Sequence, residues 1–130
     1  MPGYTLVNLR EVEDQAPKFG LSPNLEARMA RVPLELEHFG VSYQRVAPNF
    51  RVPFGHTHKR QEEVYLLLSG SVRAKLDDEI VELKPFDAIR VPNDTTRGFE
   101  AGPEGAVLIA IGAPNTGPGD ADMVDGWWDD

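Results

Sequence analysis

From residue 40 onward, apolar and polar positions alternate in short runs, each closed by a turn signal. "VSYQRVA" (41–47) alternates and ends at Pro48. "SVRAKL" (71–76) sets Val72, Ala74 and Leu76 against Arg73 and Lys75. A period of two is the mark of a strand with one buried face. "EVYLLLSG" (63–70) is almost continuously apolar over the length of a strand, which suits one covered on both faces. "EIVEL" (79–83) follows the pair Asp77–Asp78, so the two runs read as a tight hairpin without the usual glycine. "DAIRV", stopped by Pro92, then "RGFEAG" and "GAVLIAIGA", complete the series. Turn signals recur at the spacing of a sandwich or barrel, so the pattern predicts an all-β domain.

The first 40 residues read differently. "YTLVNL" has strand composition but poor alternation, and "DQAPKFGLSP" is loop. In "SPNLEARMARV" (22–32), Ser22 can cap a helix and Pro23 can occupy its first position, so a short helix is expected here, ended by Pro33. Leu25 stands where a capping box would need glutamate. The tail from residue 114 is rich in Gly, Pro and Asp. Trp127 and Trp128 leave two readings open, a flexible acidic end or a segment packed on the barrel. The organisation expected is one domain: an N-terminal arm (1–39), a barrel core (40–113) and an acidic tail (114–130).

Composition narrows the functional classes. The chain has 130 residues, 41% of them hydrophobic, and a formal charge of −8. That acidity argues against nucleic acid or anionic membrane as a partner, because both would repel it. With no cysteine, disulfides, thiolate metal sites and cysteine nucleophiles are excluded together. The start has no basic stretch leading into an apolar core, and no apolar run approaches membrane-helix length. The expected setting is cytoplasmic.

The candidate chemistry lies in "GHTHKRQEEVYLLLSG" (55–70). On a strand, His56 and His58 point to one face and can aim two imidazole nitrogens at one point. Neutral imidazole is the commonest metal ligand, and an added carboxylate gives a donor set for Fe, Mn, Zn, Ni or Cu. Glu62 and Glu63 point to opposite faces, so one of them could serve. Tyr65 shares the parity of Glu63 and should line the same cavity, as core filling or as pocket wall. His38, in "LELEHFG", has no ligand partner nearby and reads as a surface residue.

This stretch resembles the first motif of the cupins: a histidine pair, three or four residues, a glutamate, six residues and a glycine. His56, His58, Glu63 and Gly70 fit it with the longer spacer, although Phe50 stands at the family's leading glycine. The resemblance makes Glu63 the ligand, turns Glu62 outward, and implies a double-sheet jelly-roll barrel with a central cavity. The second motif is degraded. Pro92 matches, but Phe86 and Asp94 replace two glycines, Arg97 replaces the fourth ligand, a histidine, and Ala101 replaces an asparagine.

A guanidinium has no lone pair for a metal. Arg97 therefore either pairs with Glu63, filling the old site, or holds an anionic substrate. Phe99 shares its parity and either faces the pocket or packs in the core. Three functions follow: a metal-dependent enzyme such as a dioxygenase or isomerase, a metal-free binder of a small anionic metabolite, or an inactive relic. No organic cofactor is indicated. The resemblance also implies a homodimer, because small cupins commonly pair.

Overall fold

The computed structural model describes residues 3–115, 117 and 119–128. Among these residues lie eight strands: β1 (Leu25–Met29), β2 (Gly40–Val46), β3 (Gly55–His58), β4 (Glu62–Leu76), β5 (Glu79–Leu83), β6 (Ala88–Val91), β7 (Arg97–Ala113) and β8 (Ala121–Val124). The only helical turns among the described residues are short 3-10 segments at Leu9–Glu11 and Ala16–Phe19. No helix among them is long and apolar enough to cross a membrane.

Two long antiparallel strands organise the fold. β4 and β7 pair from Glu62↔Ala113 to Leu76↔Arg97, with irregularities between Leu67 and Ser69 and between Gly70 and Val72. At these bulges both strands bend and pass from one sheet into a second. The first halves of β4 and the second half of β7 join β1, β2 and β6, in the order β1-β2-β7-β4-β6. The other halves join β3, β5 and β8, in the order β8-β3-β7-β4-β5. The result is the expected all-β double-sheet jelly roll. Gly70 is the pivot: its φ is +81°, and a Cβ there would stand 1.9 Å from the Gly105 carbonyl oxygen. The motif glycine is thus needed for the backbone to turn, not for chemistry.

The core lies between the sheets. Leu67, Leu108, Val46, Val72, Ala74, Phe99 and Val91 are buried there, together with Tyr65 and, unusually, Arg97. On β2 the inward residues include Ser42 and Val46, so Arg45 faces outward and pairs with Glu26 on β1.

The expected helix at 22–32 is not formed. Residues 25–29 instead make β1, pairing with β2 from Leu25↔Val46 to Met29↔Ser42. The capping signals of Ser22 and Pro23 are worth about 1 kcal/mol, less than a ladder that also buries Leu25 and Ala30. "YTLVNL" forms no strand. The hairpin at Asp77–Asp78 forms as expected. Asp77 adopts φ +51°, which a short polar side chain tolerates, and its Oδ1 accepts from the Thr96 amide at 3.0 Å.

At the C-terminal end, β8 pairs with β3 from Gly55↔Val124 to His58↔Ala121. Trp127 then lies flat against Gly55 and Gly98, where a Cβ would come within 2.8 and 2.7 Å of its ring. Lys75 sits over that ring at 4.4 Å and donates to the Trp127 carbonyl at 2.7 Å. Trp128 donates its indole N–H to Val52 O at 2.9 Å, beneath the Arg51 guanidinium. Both tryptophans pack on the outer face of the second sheet, which answers the alternative left open by the sequence.

Candidate metal centre

The site lies between the sheets and draws on both. β3 supplies His56 and His58, the first half of β4 supplies Glu63 and Tyr65, and the start of β7 supplies Arg97. His56 is directly opposite Arg97 in the ladder, so both project to the interior. Glu63, Tyr65 and Leu67 alternate inward along β4, while Glu62 points to solvent beside Arg90. His38 is exposed and remote, as the sequence indicates.

Glu63 Oε1 is the focus. His56 Nε2 lies 3.5 Å away, His58 Nε2 3.3 Å, and Arg97 Nε 3.9 Å. The Tyr65 hydroxyl donates to the same oxygen and stands 3.5 Å from His56 Nε2. Oε2 accepts from the Gln61 side-chain amide at 2.8 Å. The two imidazoles meet edge to face, with centroids 5.1 Å apart. Phe99 packs against Tyr65 at 4.6 Å and belongs to the hydrophobic core.

Burial pushes the Glu63 carboxyl up, but the close approach of His56 and His58 and the bond from Tyr65 outweigh it and hold the group well below the usual carboxylate range. Burial and the neighbouring Glu63 charge raise the Tyr65 phenol well above its ordinary value. Tyr65 is thus a neutral donor fixed on an ionised carboxylate.

One ligand atom each from His56, His58 and Glu63 falls within a 4.8 Å cluster, so the trio could hold a metal ion. The details of this cluster fit that role. His58 Nε2 is buried and has no hydrogen-bond partner, although Glu63 is near. Its other nitrogen, Nδ1, lies 3.1 Å from Asp120 Oδ2. A second-sphere carboxylate on a ligating histidine is a recurrent feature of metal sites. Two carboxylates, Glu63 and Asp120, stand against one guanidinium, so a bound dication would meet net negative surroundings.

Arg97 is fully buried. Nη2 donates to Pro92 O at 2.8 Å and reaches Val91 O at 3.4 Å. Nε and Nη1 have no hydrogen-bond partner. The 3.9 Å approach to Glu63 is beyond hydrogen-bonding distance, so the two do not form the closed pair that would seal the site.

Sequence reasoning missed two participants. Gln61 shares the parity of Glu63, and that spacing could have flagged it. Asp120 lies 62 residues from His58 in a tail with no periodic pattern, and no local signal points to it.

Among curated proteins none matches the chain. Several solved structures share its fold. A cupin protein from Bacteroides fragilis is 24% identical, with 88% of this chain and 87% of that one covered and a TM-score of 0.72. The polyketide cyclase RemF from Streptomyces resistomycificus is 22% identical, over 97% and 87% of the two chains, with a TM-score of 0.72. PAC13 from Streptomyces, in a structure with uridine, is 18% identical over 96% and 93%, with a TM-score of 0.75. The family model described as "Cupin domain" matches residues 42–112, the span from β2 through almost all of β7 that builds both sheets and carries His56, His58 and Glu63. The chain belongs to the cupin family.

Proposed function

We propose that His56, His58 and Glu63 hold one divalent transition metal, and that Arg97 recognises the anionic group of a small metabolite bound beside it. The observation that carries this reading is the convergence of the three donors around a buried, unpartnered His58 Nε2. Such an ion would supply a Lewis acid, or a binding position for O₂, at the sites that two histidines and a carboxylate leave open.

The chain's own residues have distinct tasks. Gln61 and Tyr65 fix the Glu63 carboxylate, one on each oxygen. Phe99 and Leu67 wall the interior and exclude water, which strengthens every polar contact there. Two buried nitrogens of Arg97, Nε and Nη1, lack hydrogen-bond partners and would take a carboxylate or enolate oxygen. The reaction class consistent with these parts is oxygenation or isomerisation of a small carboxylate.

The second reading is a metal-free binder of the same class of ligand, and the two Arg97 nitrogens without a hydrogen-bond partner favour it over an inactive relic. Metal analysis of protein expressed without chelator separates the readings. About one equivalent in wild type, lost in His58→Ala, is the expected result; equal traces in both would overturn the metal site. A homodimer belongs to the same picture. Tyr4, Leu6, Phe19 and Val32 of the N-terminal arm, with Val64, Leu68 and Ile111, leave apolar surface exposed that a second copy would cover.

A further inference from the structure

The loop between β3 and β4 must hold two ligand-bearing segments in register: His58 ends β3, and Glu63 stands near the start of β4. Few contacts within the loop itself do this. Asn93 holds the His58 amide and the Lys59 carbonyl, and one carboxylate from the far end of the chain holds the rest. Asp120 Oδ2 accepts from the Gln61 amide at 3.1 Å and lies 3.1 Å from His58 Nδ1, while Oδ1 accepts from the Arg60 amide at 3.1 Å. The Asp120 carbonyl accepts from the Lys59 amide at 2.9 Å. Gln61, held in this way, passes the constraint to Glu63 through its side chain. Asp120 is itself placed by β8, which begins at the next residue and is laddered to β3.

We infer that Asp120 is the positioning residue of this site: it accepts the Nδ1 proton of His58 and so leaves the Nε2 electron pair directed toward Glu63. An anionic oxygen can only accept. Were the proton on Nε2 alone, the bare Nδ1 would face that oxygen lone pair to lone pair at 3.1 Å, closer than the 3.3 Å at which a bare Nε2 stands from Glu63 Oε1. The buried and unpartnered state of Nε2 is the independent sign that this atom is the one kept for a ligand. The C-terminal segment is thereby part of the site, although it lies outside the stretch matched by the family model.

The inference rests on the metal reading, but its main test does not. The full-length, metal-free protein is labelled with ¹⁵N at histidine, and the His58 tautomer is read from imidazole nitrogen shifts in wild type, Asp120→Asn and Asn93→Ala. Asn93 serves as a loop control, because its amide holds the Lys59 carbonyl at 2.9 Å without touching the His58 ring. Wild type and Asn93→Ala are expected to carry the proton on Nδ1. Asp120→Asn is expected to shift it toward Nε2 and to bind Zn²⁺ about 10–100-fold more weakly in a chelator competition.

An Nε2 proton in wild type, or an unchanged tautomer in Asp120→Asn, overturns the inference. So does an equal loss of Zn²⁺ affinity in Asn93→Ala and Asp120→Asn, which would mark a loop effect. If Asp120→Asn does not fold, the wild-type tautomer decides. If wild type binds no Zn²⁺, the metal reading falls, and the tautomers alone judge Asp120.

Discussion

Replacing Arg97 with methionine tests whether the guanidinium serves ligand binding or the fold. The side chain is fully buried, and two of its nitrogens lack partners. Each unsatisfied buried donor costs roughly 1–3 kcal/mol, so their removal should return about 2–6 kcal/mol. Against this stands the bond from Nη2 to Pro92 O at 2.8 Å. A hydrogen bond to a charged group contributes about 1.5–3 kcal/mol. Glu63 would also lose a cation at 3.9 Å, but it keeps Gln61 and Tyr65 as donors.

The balance runs from about 1 kcal/mol destabilising to about 4 kcal/mol stabilising, and the loss of the cation near the buried Glu63 charge moves it toward the lower end. For a chain of this length each kcal/mol moves Tm by roughly 4 °C. Thermal and urea unfolding of Arg97→Met should therefore show at most a small loss of stability, with a Tm lowered by no more than about 4 °C or else unchanged or raised, while binding of small carboxylates is lost. A fall in stability above about 2 kcal/mol would refute the reasoning. It would mean that Arg97 is held for the fold, as in the relic reading.

Four further outcomes follow from the same geometry. Because the folded Glu63 carboxyl is held below its unfolded value, the unfolded chain binds more protons in acid; the Glu63 contribution is complete above about pH 5 and is lost as pH falls. Urea unfolding between pH 3 and 7 should show this slope, and Glu63→Gln should flatten it. Gly70→Ala should cost more than about 2 kcal/mol, because neither the positive φ nor the neighbouring Gly105 backbone can yield; unfolding midpoints measure it. Trp127→Ala strips a ring from Gly55, Gly98 and Lys75 and should cost about 1–3 kcal/mol, with faster hydrogen exchange along β3 and β8. Sedimentation should give twice the 14.4 kDa chain mass; a monomer at micromolar concentration would count against the homodimer.

Much of this protein was legible in the chain because strand formation follows a local period. Alternation and turn residues located β2, β5, β6 and the Asp77–Asp78 hairpin. Parity placed His56 and His58 on one face and Glu63 with Tyr65, since successive strand side chains must point to opposite sides. What the sequence could not decide was set by partners far along the chain. The residues of β1 carry helix-start signals, and pairing with β2 overrides them. The runs at 63–70 and 71–76 read as separate strands, yet β7 holds them as one bent element, because a bulge keeps the ladder continuous. The pattern on β2 did not say which face was inside, and packing against β7 put Ser42 there rather than Arg45. Asp120 meets His58 only when β8 docks beside β3, and Arg97 is buried with two unbonded nitrogens only when both sheets close over it. Local periodicity determines which residues share a face; the closing of the sheets determines which of them meet.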